Sequence, residues 1–242
     1  VSHLSPKETL ATINEIAERH NKPLWVDLKG RQLRVLHWAM PDYAKIELNH
    51  NVTIEGQAWA VLRGGAHCEI KFASGNAIYL DGAPPEAVGT GQSINIIGDG
   101  GTIEGYLTDQ DKAYIAAAKE LGLGSFMLSF VEGMDDVTEV RAEFGELAGY
   151  LRLGLKIESP KGVEFVKAMK ERPTCCKLIA ARDDLFVNIG PDKTAILPAL
   201  KSIVEKDREA IVASRLFSGL ESGSGVTLAD LSDIHLMRIA GY

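Results

Sequence analysis

The chain has 242 residues, 45% of them apolar and 24% charged, which supplies enough apolar side chains for a sizeable core and too many for a disordered polypeptide. Thirty-three acids against 26 bases leave a formal charge of −7, so there is no broad positive field to hold nucleic acid or an anionic membrane surface. No apolar run approaches the roughly 20 residues that cross a bilayer, and Val1-Ser2-His3 has neither the basic start nor the apolar stretch of a secretory leader.

Ser5-Pro6-Lys7-Glu8 is a capping box with proline at the first helical position, and Leu10, Ile13, Ile16 and Ala17 follow on one helical face. Lys22-Pro23 stops that helix, and Leu24-Trp25-Val26 reads as a buried strand. Residues 44–105 then hold 11 of the 24 glycines and show no helical period. Their short alternating stretches (Lys45 to Leu48, Ala58 to Leu62, Cys68 to Phe72, Ala77 to Leu80, Ser93 to Ile97) are separated by turn signals, which predicts a small inserted antiparallel β-domain. The flanking segments, 1–43 and 106–242, form the other domain. Thr108 caps a helix striped by Tyr114, Ala117, Ala118 and Leu121, and Phe126-Met127-Leu128 is the next strand. A helix from about Asp135 to Glu143, the strand Leu153 to Ile157 and a helix opened by Pro160 come after it. Strand Leu178 to Ala181 precedes a helix carrying Ile196, Leu200, Ile203 and Val204. Strand Ile211 to Ala213 leads through a Gly/Ser-rich loop, 218–225, to a last helix begun at Thr227. Continuous apolar strands alternating with helices predict an α/β fold with parallel strands covered by helices.

The informative feature is the polar group at the end of each apolar strand. The strands end in Asp27, Ser129, Lys156-Ile157-Glu158, Arg182-Asp183-Asp184 and Ser214-Arg215. In a parallel α/β barrel these carboxyl ends converge on one mouth, where catalytic groups collect. Strand alternation points Lys156 and Glu158 the same way, and likewise Arg182 and Asp184, with Asp183 turned aside. Two carboxylates, Glu158 and Asp184, from neighbouring strands suit Mg²⁺ or Mn²⁺, with water and substrate oxygens completing the shell. Lys156 and Arg182 beside them would neutralise a phosphate or an enolate oxygen. The bland alternative is a pair of salt bridges tying strand ends together. His3, His20, His37, His50, His67 and His235 show no metal-ligand spacing, and the 218–225 loop lacks the P-loop ending, so it reads as flexible. Trp25, Trp38 and Trp59 read as core or junction residues. Cys68, Cys175 and Cys176 are an odd set; adjacent cysteines rarely reach disulfide geometry without strain, so they read as buried thiols in a reducing cytoplasm.

Six segments, at Ser2-His3, Val26 to Gly30 with Arg34, Leu107 to Lys112, Leu128 to Val131 with Asp136-Val137 and Val140-Arg141, Leu155 to Val163 and Ala181 to Leu185, taken in order, resemble motifs of the pyruvate kinase family. Leu155-Lys156-Ile157-Glu158-Ser159-Pro160-Lys161-Gly162-Val163 is similar to its K-I-E-N-x-E-G-V, and Ala181-Arg182-Asp183-Asp184-Leu185 to its A-R-G-D-L-G. Leu107-Thr108-Asp109-Gln110-Asp111-Lys112 resembles L-T-E-K-D, and Leu128-Ser129-Phe130-Val131 with Asp136-Val137 and Val140-Arg141 resembles A-S-F-V…D-V…V-R. Val26-Asp27-Leu28-Lys29-Gly30 and Arg34 resemble L-D-T-K-G-P-E-I-R, and Ser2-His3 the end of R-x-N-x-S-H. The resemblance implies a (β/α)₈ TIM barrel, incomplete here, with a shortened inserted domain. It implies Mg²⁺-dependent phosphoryl transfer from phosphoenolpyruvate to ADP in the cytoplasm, with K⁺ as a second ion and a homo-oligomer left open. Lys156 would stabilise phosphoryl and enolate charge, Glu158 and Asp184 would hold the divalent ion, and Ser214 would stand near the enolate proton transfer. Ser129, Arg182 and Asp183 would contact substrate, Arg34 and His3 the nucleotide or its phosphates, and Ser2 and Asp27 the monovalent ion.

The departures are specific. Asp183 and Phe186 replace glycines, Leu28 replaces the cation-site threonine, Gln32 a glutamate, and Glu132 a basic residue. These keep two further readings open, a metal-dependent lyase or decarboxylase working through a pyruvate enolate, and a non-catalytic relative. Five strands cannot close an eight-stranded barrel, so the expectation is that the source protein continues on both sides.

Overall fold

The computed structural model describes residues 4–39, 43–98 and 100–242. Helix α1 (Pro6–Arg19) starts where the capping box places it: Ser5 Oγ accepts the Glu8 N–H, and Glu8 reaches back to the Ser5 N–H. In chain order there follow β1 (Val26–Leu28), β2 (Lys45–Glu47), β3 (Val52–Ile54), β4 (Ala58–Val61), β5 (His67–Ser74), β6 (Ala77–Leu80), β7 (Asn95–Gly98) and β8 (Gly101–Ile103). Then come α2 (Asp109–Glu120), β9 (Ser125–Leu128), α3 (Met134–Phe144), β10 (Arg152–Ile157), α4 (Pro160–Ala168) and β11 (Cys176–Ala181). The chain ends with α5 (Arg182–Asn188), α6 (Ile196–Lys206), β12 (Ile211–Ala213), α7 (Ser218–Glu221) and α8 (Leu228–Ala240).

The chain divides into two units, Val1–Lys29 with Asp109–Tyr242, and Gly30–Thr108. In the first, five strands form one parallel sheet in the order β1-β9-β10-β11-β12. This is part of a TIM barrel. Leu28, Phe126, Leu128, Leu155, Ile157, Leu178 and Ala180 are all buried, as are Ile115, Val140, Val166 and Ile203 on the helices. Helix α4 can sit close because Gly162 has no side chain; a Cβ there would stand 2.7 Å from the Val131 carbonyl. Buried acids secure the corners: Asp111 accepts the Lys29 N–H, Asp136 those of Glu132 and Gly133, and Asp207 that of Leu178. Among the described residues no helix is long and apolar enough to cross a membrane.

The second unit is an antiparallel sheet in the order β2-β6-β5-β4-β7, with β3 and β8 paired separately. Its core is built from Ile46, Leu48, Ala58, Ala60, Ile78, Leu80 and Ile94. It takes in more chain than the 44–105 of the sequence pattern, because Leu33, Val35 and Ala39 join that core through bridges at Arg34, Val35 and Ala39. Buried His50 sets its two ring nitrogens 2.7 Å from the Gly30 carbonyl and 3.2 Å from the Glu104 carbonyl, pinning the two ends of the unit.

Several sequence expectations need correction. β1 runs two residues later than the apolar run suggests, so Asp27 lies within the strand and not beyond it. The pattern gives no sign of β3 and β8. The 218–225 segment is not all loop, since α7 forms at Ser218–Glu221. Trp38 is 67% exposed and is no core residue.

Candidate functional site

Alternation and register assemble the first part of the site. Asp27 is opposite Met127, and Met127 opposite Gly154. Residues two further along, Ser129, Lys156 and then Glu158, therefore emerge on the same face at the carboxyl ends of β9 and β10. Lys156 is the hub of this cluster. Its ammonium lies 3.0 Å from Asp27 Oδ1 and 3.7 Å from Glu158 Oε1. Lys29 takes the other Asp27 oxygen at 3.2 Å, and Ser129 Oγ donates to Asp27 Oδ1 at 3.5 Å.

Glu158 is 2% exposed, and its Oε2 accepts the Phe130 N–H at 2.7 Å. Phe130 presents that N–H from a left-handed backbone, φ 51°, a conformation bulky residues rarely adopt. The next N–H, of Val131, bonds to the Lys156 carbonyl and fixes this turn to β10. Burial pushes the Glu158 carboxyl up to about 7, against the opposing pull of Lys156 and of the Phe130 N–H. The charges of Asp184 and Asp27 push it in the same direction as burial. Three carboxylates thus share one neighbourhood, held together by one largely buried lysine.

The residues after β11 are arranged differently from the expectation. Helix α5 begins at Arg182, so strand alternation does not govern Arg182 and Asp184, and side chains two apart on a helix diverge. Asp183 and Asp184 in its first turn favour that start, since they meet the positive end of the helix. Arg182 Nη2 pairs with Asp233 of α8 at 3.0 Å, and its Nη1 is buried without a hydrogen-bond partner among the described residues. Asp183 pairs with Arg215 at 2.6 Å. Ser214 comes after β12 with φ 71°, and Arg215 and Phe217 are also left-handed, so this turn stores backbone strain. In the second unit, Arg34 donates to the Gly91 carbonyl and to Gln32 Oε1, while its buried Nε has no partner among the described residues. Ser2 and His3 lie outside the described residues.

The donor set is all hard oxygen, and mutual repulsion among Asp27, Glu158 and Asp184 is what a divalent cation relieves. Glu158 and Asp184 are the pair that could hold Mg²⁺ or Mn²⁺, which commonly takes one or two carboxylates and completes its shell with water and substrate. No group of three or more His, Cys, Asp or Glu placed to hold a metal ion occurs among the described residues. At Asp27, proposed for a monovalent ion, the ammonium groups of Lys29 and Lys156 lie at the two carboxylate oxygens. Sequence reasoning missed Lys29, Asp233 and Phe130. The first two are ordinary surface-type residues in the sequence, and nothing in Phe130 announces a left-handed backbone.

No protein-family model matches the chain. It is 30% identical over 134 residues to the pyruvate kinase of Thermoplasma acidophilum, covering 54% of this chain and 24% of that protein. It is 30% identical over 132 residues to the pyruvate kinase of Agrobacterium vitis, covering 53% of this chain and 26% of that one. The crystal structure of pyruvate kinase from Pyrobaculum aerophilum matches with a TM-score of 0.68 at 19% identity, over 96% of this chain and 57% of that chain. That likeness extends to the fold. The matched stretch spans about a quarter of the length of these curated relatives.

Proposed function

Because this chain is a relative of the pyruvate kinase family, fragment or divergent, we propose that it carries part of a site for phosphoryl transfer from a phosphoenolpyruvate-type substrate to ADP. The observation that supports this most directly is the cluster itself: Lys156 between Asp27 and the buried Glu158, with the charge of Asp184 within reach. Glu158 and Asp184 would hold Mg²⁺ or Mn²⁺, and the bound ion would supply countercharge to the phosphoryl and carboxylate oxygens of the substrate.

The chain's own residues do the rest. Lys156 places a positive charge where the enol oxygen develops negative charge as its bond to phosphorus breaks and the phosphoryl group moves to the terminal oxygen of ADP. Its ammonium is held in advance by Asp27, so it costs little reorganisation at the moment of reaction. Ser214 is the candidate proton relay to the enolate carbon. Arg34, which the resemblance assigns to the nucleotide side, is the candidate for a nucleotide phosphate. Ser129 serves by orienting Asp27, and Arg182 and Asp183 are better described as ion-paired supports than as substrate contacts.

A second reading keeps the cluster and changes the chemistry to decarboxylation through a pyruvate enolate. The anionic Asp183 at the start of α5, where the family resemblance has glycine, favours it. A coupled assay with phosphoenolpyruvate, ADP and Mn²⁺ on the intact protein tests the first reading. Turnover at least about 100-fold above that of Lys156→Met is expected; equal rates would overturn it. Manganese-dependent oxaloacetate decarboxylation without any nucleotide effect would select the second.

A further inference from the structure

Cys175 and Cys176 stand apart from this chemistry. Their sulfurs lie 3.7 Å apart, nearly twice the length of a disulfide, and neither cysteine is in a disulfide. Both line a cavity of about 660 Å³ together with Trp25, Arg152, Arg172 and Ile179. Cys175 is half-buried and takes a hydrogen bond from Arg141 Nη1 at 3.4 Å, and Cys176 is fully buried.

The separation selects the geometry of any atom that could bridge the pair. With bonds of about 2.3 Å to each sulfur, a bridging atom would subtend about 107°, which is pyramidal or tetrahedral and far from linear. A linear two-sulfur bridge would need the sulfurs about 4.6 Å apart. No third His, Cys, Asp or Glu joins the pair as a ligand group among the described residues, which leaves a tetrahedral zinc site short of donors. Arg141 and Arg172 would also repel a free cation, and burial pushes the Cys176 thiol up to about 12, so that sulfur keeps its proton until a ligand removes it. A neutral, pyramidal, three-coordinate thiophile meets all of these conditions.

We propose that Cys175 and Cys176 form a vicinal dithiol site for trivalent arsenicals. With an arylarsine oxide, two arsenic–sulfur bonds form, the arsenic–oxygen double bond breaks, and its oxygen leaves as water with the two thiol protons. With arsenous acid, two hydroxyls leave as two waters and the third stays on arsenic. Neither arsenic nor sulfur changes oxidation state, so no oxidant or reductant enters.

The test uses phenylarsine oxide and the whole chain. One equivalent is expected to add by intact-mass analysis, to resist an excess of 2-mercaptoethanol, and to be stripped by 2,3-dimercaptopropanol. Cys175→Ser should weaken binding by about 100-fold, the loss expected when two linked attachments become one, while Cys68→Ser should leave it unchanged. Cys176→Ser should match Cys175→Ser; if that buried variant fails to fold by circular dichroism, the half-buried Cys175→Ser decides alone. Retention of binding within about threefold in Cys175→Ser, release by the monothiol, or no addition at all would each overturn the assignment.

Discussion

Replacing Glu158 by glutamine removes one charge from the cluster while keeping an oxygen that can accept the Phe130 N–H. The effect on stability comes from burial, which moves this carboxyl from an ordinary 4.5 to about 7. Below about pH 4.5 the folded and unfolded chains both hold the proton, and the group costs nothing. Between about 4.5 and 7 the folded chain binds more protons than the unfolded one, so stability falls as pH rises. Above about 7 the full cost remains, two and a half pH units at about 1.4 kcal/mol each, or about 3–4 kcal/mol. The glutamine variant escapes it. The difference in unfolding free energy, variant minus wild type, should therefore grow by about 2–3 kcal/mol from pH 5 to pH 8. Urea unfolding followed by circular dichroism in EDTA at four pH values measures this directly. Parallel profiles, with a constant difference across the range, would show that Glu158 titrates as an exposed acid and would remove the basis of the charge-cluster argument.

Two further changes test the scaffold around the site. Gly162→Ala places a methyl 2.7 Å from the Val131 carbonyl, which should cost about 1–3 kcal/mol; a denaturation midpoint equal to wild type would contradict the close approach of α4. Asp207 is buried and accepts from the Leu178 N–H at 2.9 Å while pairing with Arg172 at 3.1 Å. Asp207→Ala should lower the unfolding free energy by about 3–5 kcal/mol by stranding that guanidinium and N–H, and a loss under about 1 kcal/mol would refute the role given to the pair.

Much of the first unit is legible in the sequence because its signals are local. The Ser5–Glu8 box and Thr227 mark helix starts through hydrogen bonds made within four residues, and both capping boxes form. Continuous apolar runs at 126–128, 153–157 and 178–181 match strands covered by helices, and Lys156 and Glu158 share a side because strand alternation carries them there. The same rule fails at Arg182, where two acids turn the chain into a helix directly after β11. It is silent on which acid Lys156 favours, since Asp27 is 129 positions away in the chain and no local rule ranks such partners. β3 and β8 lie in turn-rich stretches without a clear alternating run, and no propensity foretells the left-handed Phe130, Ser214 and Phe217. Trp38 misleads because size and aromaticity argue for the interior and its actual place is at the surface.

β1 and β9 lie side by side although the whole Gly30–Thr108 unit comes between them in the chain. During synthesis β1 therefore emerges long before β9, and Asp27 meets no ammonium from β10 until Lys156 has been translated. Closing so long a loop costs little more than closing a short one, because the entropy grows only with the logarithm of its length. If the intervening segment folds first, it shortens the effective loop further. Assembly of the charge cluster is thus a late event on the ribosome, timed by the emergence of β10.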